Sequence, residues 1–331
     1  MEETEVLKNK IIDYYIQLSA AGFSFEKPIE WASGTYNPPY IDNRILSSDA
    51  AARAVLRKAL PTLVENKDKV DYVFGIPKAG IAPATLLALE IGKPLLFKHS
   101  GKYYSVDVNL LGKHINRSVK SAVLRSHKRK VTMIAGTVPF GIICGIIAAE
   151  KRKGSFLFVR EVAKDHGKQQ QVEGLPHPGD KVVLVDPYIA ESDPSYREGA
   201  IKVLQDLDMY VILCRPLIGH LIHEVTIEKG TRIVGMEDLV STGESMLNEI
   251  IELIAKGAVV QPCSIYDYEL SSAVENFSVY GLTNKSLVNF EDLLEGWQKQ
   301  SVASPSDVKG LRSWHENQPD WGNKNGFPSK Y

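Results

Sequence analysis

Two adjacent carboxylates stand just before a turn that is rich in hydroxyl groups. Residues 233–240 are apolar apart from Glu237 and Asp238, a Ser-Thr-Gly turn follows at 241–243, and an apolar segment begins at Met246. This pattern predicts a strand, a turn and a helix N-terminus, where backbone N–H groups, hydroxyls and the helix dipole bind phosphate. The carboxylates would accept hydrogen bonds from sugar hydroxyls. A plain helix cap is the alternative, but it needs one such side chain and this turn has several.

A second polar segment carries cationic side chains beyond an apolar run. Arg160, Lys164 and His166 lie close together, and residues 168–174 continue without apolar periodicity. Such a segment is typical of a mobile loop that closes over a polyanion, and pyrophosphate would suit it. A solvated loop without function is the alternative. The turn at 241–243 favours the polyanion loop over this alternative, because a phosphate site would give the loop a ligand to cover.

A third segment, residues 31–44, combines prolines and a glycine with aromatic side chains. The prolines and the glycine fix an irregular backbone, and Tyr40 offers a face on which a flat base would stack. Arg44 would meet a carboxylate. A loop that only packs against the body of the protein is the alternative for a segment of this composition.

Together the three segments resemble the orotate phosphoribosyltransferase family, in which a WASG-type hood loop, a KDHG loop and an EDLxSTG phosphate loop occur in this order. The likeness continues through residues 136–142, which are similar to the family's glycine turn near pyrophosphate. Residues 265–270 and 273–277 are similar to the last strand of one branch and the segment beyond that strand.

The resemblance implies transfer of 5-phosphoribosyl from PRPP to orotate, which gives orotidine 5'-monophosphate and pyrophosphate. Lys164, His166 and Asp238 would be the catalytic residues. The implied substrate contacts are Arg160, Glu237, Ser241, Thr242, Gly243, Ser245, Tyr40, Arg44, Ser33, Gly136 and Gly141. The resemblance also implies a Mg²⁺ ion bound mainly through PRPP and not by a protein cage. Because the KDHG loop would reach a neighbouring subunit's site, it implies a homodimer.

These residues must be positioned by alternating strands and helices, which predict an α/β fold with a parallel sheet covered on both faces. The resemblance makes it a type I phosphoribosyltransferase-like fold. We expect a small hood from residues 1–48, an α/β core over 49–264 and a strand and helix over 265–300 that close the hood. Inserted strand–helix units are expected near 68–130 and 180–230, and a tail over 301–331.

An internal repeat supports the insertion of such units. A shift of 61 residues places Gly75 and Gly80 on Gly136 and Gly141, and a shift of 51 relates residues 183–186 to 234–237. In chain order, the segments at 75–80, 136–141, 183–186 and 234–237 are interpreted as a, b, a and b, where segments with the same letter belong to one series. This order fits either one fold with inserted units or two interleaved half-folds. The turn at 136–141 then belongs with the phosphate turn at 241–243.

In the a series, the turn at 75–80 would belong with the segment that follows Asp186. That segment lacks the Thr-Gly turn and contains Asp193. An acid there would repel a phosphate dianion, and without the glycine the backbone could not approach closely. We therefore expect one PRPP site per chain.

Composition limits the classes of partner. The 331 residues include 39 Lys and Arg and 40 Asp and Glu, a formal net charge of -1 that gives no general attraction to nucleic acid or membranes. Three unpaired cysteines and a polar N-terminus favour the cytoplasm. The apolar run 131–149 contains glycines and a proline, so we predict a strand, a turn and a helix there and not a membrane span.

The rival hypothesis is a non-catalytic PRPP-sensing or nucleic-acid-binding regulator on the same fold. Glu161 stands where some family members have a second lysine, and Gln169 stands where many have a glycine. Both departures bear on the charge and flexibility of the loop. The lack of a DNA-binding segment ahead of the hood argues against the regulator.

Overall fold

The structure is a computed structural model that describes residues 2–31, 34–126, 131–137, 140–160, 171–187 and 194–328. The strands are β1 (Ala21–Phe23), β2 (Ile29–Glu30), β3 (Tyr36–Asn37), β4 (Pro39–Ile41), β5 (Tyr72–Gly75), β6 (Leu95–His99), β7 (Lys102–Val106), β8 (Met133–Thr137), β9 (Ser155–Val159), β10 (Val172–Glu173), β11 (Lys181–Val185), β12 (Tyr210–Cys214), β13 (Ile222–Glu224), β14 (Arg232–Val240), β15 (Val259–Asp267) and β16 (Lys285–Asn289). The helices are α1 (Glu2–Gln17), α2 (Asn43–Ser48), α3 (Ala50–Ala59), α4 (Ile81–Ile91), α5 (Val108–Arg125), α6 (Phe140–Arg152), α7 (Pro194–Asp206), α8 (Glu244–Ala255), α9 (Ser271–Ser278), α10 (Phe290–Lys299), α11 (Pro305–Glu316) and α12 (Gln318–Lys324).

One sheet has seven strands in the order β13-β7-β6-β5-β14-β15-β16, and we call it the outer sheet. The run from β6 to β16 is parallel, whereas β7 and β13 continue the edge in antiparallel pairing. Its central strand β5 is short and apolar because helices cover both faces of the sheet. Helix α4 ends at Gly92, whose φ of 68° is a left-handed cap that glycine adopts without steric cost.

A second sheet has five strands in the order β10-β9-β8-β11-β12. All its pairings are parallel except that of β10 with β9. Its strands lie in the sequence between β7 and β13 of the outer sheet. We call residues 108–214, from α5 to β12, the inserted unit.

The two sheets repeat one topology. The inserted order β10-β9-β8-β11-β12 has the same arrangement as β7-β6-β5-β14-β15 in the outer sheet, including the antiparallel edge strand. The expected α/β fold with a parallel sheet flanked by helices is confirmed, but the predicted a, b, a, b grouping is wrong. The order is a, b, b, a, because one unit is nested within the other.

The insertion also differs in extent from the expectation of separate units near 68–130 and 180–230. Strand β5 belongs to the outer sheet, and strands β8 to β11 belong to the same inserted sheet as β12. Local strand–helix patterns are alike in both units, so only the hydrogen-bonded pairing of strands assigns each segment to its sheet.

The two units share a hydrophobic core. Helix α4 of the outer unit packs against α6 of the inserted unit, and their buried side chains belong to one cluster that also includes the hood. Separate clusters lie under α8, on the outer sheet, and under α7, on the inserted sheet. The shared core makes the inserted unit a packed part of the molecule.

The C-terminal segment is not an irregular tail, which corrects that expectation. Helix α11 begins with a capping box between Ser304 and Asp307, with Pro305 in the first turn. Trp314 is fully buried, and its indole Nε1 donates to Asn37 Oδ1 of the hood at 3.0 Å. The segment therefore completes the hood together with residues near the N-terminus.

The apolar run 131–149 contains β8 and most of α6, as the sequence predicted. In the part of the chain that the structure describes, no helix has the length and apolar character needed to cross a membrane.

Candidate functional site

The phosphate-type turn lies between β14 and α8. Strand β14 continues to Val240, so Glu237 and Asp238 lie near its carboxyl end, and α8 begins at Glu244. Gly243 has a φ of 78°, and a Cβ atom on it would lie 2.7 Å from the ring of Phe277. The expected order of strand, turn and helix N-terminus is present, and this turn needs glycine at its last position.

Helix α9 supports the turn from outside. Its Asn276 donates a hydrogen bond from Nδ2 to the carbonyl oxygen of Thr242 at 3.0 Å. Ser241 and Thr242 are partly exposed, and Ser245 is exposed in the first turn of α8. The hydroxyl groups are therefore accessible around a backbone that is held in place, as an anion site requires.

The acidic pair is buried to different degrees. Glu237 is 5% exposed, whereas Asp238 is partly exposed. Burial, and then the charge of Asp238, raise the pKa of Glu237 well above its ordinary value. The backbone N–H of Asp238 donates to Glu237 Oε1 at 3.0 Å. The position of Glu237 in the fold therefore favours the neutral form of its carboxyl.

The hood holds the backbone at this position. Asn43 Nδ2 donates to the carbonyl oxygen of Asp238 at 2.6 Å, and the hydroxyl of buried Tyr15 bonds the amide oxygen of Asn43. A chain of hydrogen bonds thus connects α1, α2 and β14. Asn43 was not singled out in the sequence, since an asparagine after a proline-rich loop has no distinctive pattern.

The glycine turn beside the acidic pair is the one at residues 75–80. The N–H of Ile76 donates to the carbonyl oxygen of Met236 at 3.0 Å, and a Cβ on Gly80 would lie 2.3 Å from that same oxygen. The backbone here approaches β14 as closely as only glycine allows. Lys78, in the middle of this turn, is another residue that the sequence did not assign to the site.

The turn at Gly136 and Gly141 occupies the equivalent place in the inserted sheet. A Cβ on Gly136 would lie 2.0 Å from the carbonyl oxygen of Gly141, and one on Gly141 would lie 3.1 Å from that of Val185 in β11. The prediction that this turn accompanies the phosphate turn is therefore wrong. Each glycine turn packs on the next strand of its own sheet.

A cavity lies between the outer unit, the inserted unit and the hood. It is lined by Asn43, Arg44, Ser47, Lys78, Ala79, Ala82, Ile142, Phe156, Phe158, Glu173 and Asp238. Asp238 and Lys78 come from the outer unit, and Phe158 and Glu173 come from the inserted unit. The cavity thus brings together residues that are far apart in the sequence, and only tertiary structure determines that arrangement.

A network of alternating charges stands at this cavity. Arg44 donates from Nε to Asp42 Oδ1 at 2.7 Å and from one terminal nitrogen to Glu173 Oε1 at 2.6 Å. Arg160 Nε donates to the same Glu173 oxygen at 2.5 Å. Two arginines from the predicted site are therefore joined by a carboxylate that the sequence pattern marked only as the end of the loop.

The other predicted residues are distributed unevenly. Tyr40 does not line the cavity, because its ring lies over Gly22, where a Cβ atom would be 2.6 Å from the tyrosine hydroxyl. Ser33, Lys164 and His166 lie outside the described residues, as do Glu161 and Gln169.

The inserted unit has no counterpart of the acidic pair among its described residues. Asp186 directly follows β11, and its Oδ2 atom lies 3.6 Å from a terminal guanidinium nitrogen of Arg197 and 3.7 Å from Nε of Arg215. Burial raises the pKa of Asp186 despite these cations. The predicted Asp193 lies outside the described residues. Within the described ranges, no group of three or more His, Cys, Asp and Glu side chains is arranged to hold a metal ion.

Fold and cavity define a parallel α/β protein with a phosphate-type turn at the carboxyl edge of its outer sheet. No family model matches the chain. Orotate phosphoribosyltransferase of Streptococcus pneumoniae serotype 2 (strain D39) is 24% identical over 316 residues, 95% of this chain and 98% of that protein. The enzyme of the same name from Streptococcus thermophilus (strain CNRZ 1066) is 23% identical over the same shares of the two chains. The resemblance predicted from three motifs is thus confirmed over nearly the whole chain.

Among solved structures, the orotate phosphoribosyltransferase of Aeropyrum pernix is 16% identical, with a TM-score of 0.43. The superposition covers 89% of this chain and 99% of that one.

Proposed function

We propose that this protein is an orotate phosphoribosyltransferase. It would transfer 5-phosphoribosyl from PRPP to orotate and release orotidine 5'-monophosphate and pyrophosphate. The observation that carries the proposal is the turn at 241–243 behind Glu237 and Asp238, next to the glycine turn at 75–80. Curated relatives with this name over 95% of the chain support the same activity.

The geometry suggests a role for each part of the site. Backbone N–H groups and hydroxyls of Ser241, Thr242, Gly243 and Ser245 would hold the 5-phosphate. Asp238 and Glu237 would accept hydrogen bonds from the ribose hydroxyls. Lys78 would face the pyrophosphate, because it lines the cavity beside the strand that carries Asp238.

Arg160, Lys164 and His166 would neutralise charge on the leaving pyrophosphate. Departure of pyrophosphate leaves an oxocarbenium-like ribose, and the protein would accelerate it by positioning, by charge neutralisation and by excluding water. Arg44 would act on the carboxylate of orotate, with Ser33 and Tyr40 in the surrounding hood. In the ligand-free structure Arg44 already bonds two carboxylates, so orotate would have to compete for its donors.

Mg²⁺ is part of the proposal. The donor set of one partly exposed aspartate beside a buried glutamate of raised pKa suits an ion held mostly by substrate oxygens. Asp238 would be its outer contact, and the bound ion would neutralise phosphate charge. A homodimer and a cytoplasmic location are further parts of the proposal that rest on the resemblance.

The rival regulator is not favoured by any observation. Its support was the pair Glu161 and Gln169, which lie outside the described residues. The similar curated proteins named above are called orotate phosphoribosyltransferases.

The test is an assay of base consumption with PRPP and Mg²⁺. Orotate should be consumed with release of pyrophosphate, whereas uracil, hypoxanthine and nicotinate in parallel reactions should not. Consumption of another base in preference to orotate would correct the substrate, and binding of PRPP without any turnover would favour the regulator.

A further inference from the structure

We infer that Glu173 is a positioning residue that makes the inserted unit part of the substrate site by fixing Arg44 and Arg160 there. This inference rests on the proposed function. Glu173 belongs to β10 of the inserted unit, Arg44 to the hood, and Arg160 follows β9. Arg44 and Glu173 line the cavity together with Lys78 and Asp238 of the outer unit, and Arg160 bonds Glu173.

Glu173 is buried, and both arginines compensate its charge. Its side chain is 4% exposed, and its Oε1 atom accepts from both guanidinium groups at 2.6 and 2.5 Å. A buried carboxylate without partners is costly, and removing one partner of a buried pair is strongly destabilising. Each arginine is therefore held in place by the carboxylate, and the carboxylate by the arginines.

The backbone around Arg160 strengthens this arrangement. The N–H of Arg160 donates to the carbonyl oxygen of Gln171 at 2.8 Å, and Gln171 Nε2 donates to the carbonyl oxygen of Arg160 at 3.1 Å. The guanidinium carbon of Arg160 also lies 5.0 Å from the ring centroid of Phe158, within the range of a cation–π contact. Glu173 thus sets where the guanidinium points, while the backbone is fixed by other bonds.

The charge balance gives the inference a distinctive signature. Asp42 and Glu173 are matched by Arg44 and Arg160, so the network is neutral without substrate. Replacing Glu173 by glutamine leaves a net positive charge at a site for polyanions. PRPP binding should not weaken, whereas the arginines lose the acceptor that orients them.

The experiment compares steady-state kinetics of the wild type with Glu173→Gln. We expect kcat to fall between about tenfold and 100-fold, because a misplacement of about 1 Å can cost about 100-fold. KM for PRPP should stay the same or decrease. A role limited to folding would lower the amount of active protein without this separation of kcat from KM, so active-site titration with thermal unfolding accompanies the kinetics.

Glu150 offers a matched control. It lies in α6 of the inserted unit and accepts from Arg53 at 2.7 Å and Arg57 at 3.2 Å, both in α3. It therefore joins the inserted unit to the rest of the chain with the same chemistry, but does not line the cavity. Glu150→Gln should leave kcat and KM within about twofold of the wild type at a comparable loss of stability.

A double-mutant cycle tests whether Glu173 acts through Arg160. In an Arg160→Ala background, Glu173→Gln should lower kcat by less than about twofold, because residues that act as a unit are not additive. If Glu173→Gln does not fold, Glu173→Asp keeps the charge but withdraws the carboxylate by one methylene. Glu173→Asp should then show the same fall in kcat.

The possible results separate this inference from the proposed function. A wild-type chain that does not turn over orotate overturns both. Turnover that Glu173→Gln leaves unchanged, a rise in KM alone, equal effects of Glu150→Gln, or additive losses in the cycle overturn only the role of Glu173.

Discussion

Glu237 illustrates how one residue of the site works against stability. Burial raises its pKa, so the folded protein favours its neutral form. The stability from this group is fully present below the unfolded pKa of about 4.3 and is lost as pH rises through the folded value. An acidic side chain in this position is therefore better explained by ligand binding than by folding.

The corresponding substitution is Glu237→Gln in the ligand-free protein. Glutamine keeps an oxygen that accepts the N–H of Asp238 and carries no charge to bury. We expect the variant to melt a few degrees higher than the wild type near pH 8, at about 2–4 °C per kcal/mol, and at a similar temperature near pH 4. Thermal unfolding at several pH values measures this. A gain that does not grow with pH would contradict a titrating Glu237.

At the scale of elements, the two glycine turns distinguish the outer from the inserted unit. A Cβ on Gly80 would lie 2.3 Å from a backbone oxygen of β14, just before the acidic pair. Gly80→Ala should therefore displace the strand and lower kcat/KM by about 100-fold, with a loss of about 1–3 kcal/mol in stability. Kinetics and urea unfolding of the purified variant measure both effects.

Gly141→Ala is the matched change in the inserted unit. Its Cβ would meet the Thr137 hydroxyl at 2.7 Å and the Val185 carbonyl oxygen at 3.1 Å. Stability should fall, but the folded fraction should keep kcat/KM within about threefold. If Gly141→Ala abolished activity and Gly80→Ala did not, the turn that serves the site would be the inserted one after all.

The C-terminal helices allow a second prediction at this scale. Trp314 contacts Trp31, Tyr268 and Phe290 through its ring and donates to Asn37. Trp314→Ala should cost about 3–5 kcal/mol, as is usual for deletion of a buried aromatic ring. Val302→Ala, at a side chain that is 44% exposed, should change stability by less than about 0.5 kcal/mol. If Trp314→Ala and Val302→Ala unfolded at the same urea concentration, the packing of α11 would not contribute to stability.

The whole molecule consists of two units, one nested within the other, which share a topology but differ in the functional residues that they carry. The outer unit has the phosphate-type turn, and its β6 and β7 are joined by a short turn at Ser100 and Gly101. The inserted unit has Asp186 between two arginines in place of the acidic pair, and carries Arg160 after the equivalent strand. Each unit thus contributes a part that the other does not supply within the described residues.

We therefore expect one PRPP site per chain. Calorimetric titration of PRPP with Mg²⁺ should give a stoichiometry near one, and Asp238→Asn combined with Thr242→Ala should abolish the binding. Asp186→Asn should leave the binding unchanged, because Asp186 directly follows β11 of the inserted sheet. Two equivalent sites, or loss of binding with Asp186→Asn, would mean that the inserted unit is a second working centre.

The sequence alone determined the features that depend on neighbouring residues. The strand, turn and helix around Ser241 follow from local apolar patterning and from a glycine that the turn requires. The motifs at 31–44, 160–167 and 237–243 were sufficient for the family resemblance, because each is short and contiguous. The same holds for β8 and α6, whose glycines identified the apolar run as a strand and a helix of the α/β fold.

Tertiary structure decided which distant segments meet. Two units with the same local pattern are equally compatible with several strand pairings, so the sequence could not tell that Gly80, and not Gly141, packs beside Glu237. Lys78 and Glu173 reach the site only through that pairing. The sequence did not predict helix α11, because Trp314 lies in a polar segment without clear periodicity. Its burial depends on residues of the hood that are far away in the chain.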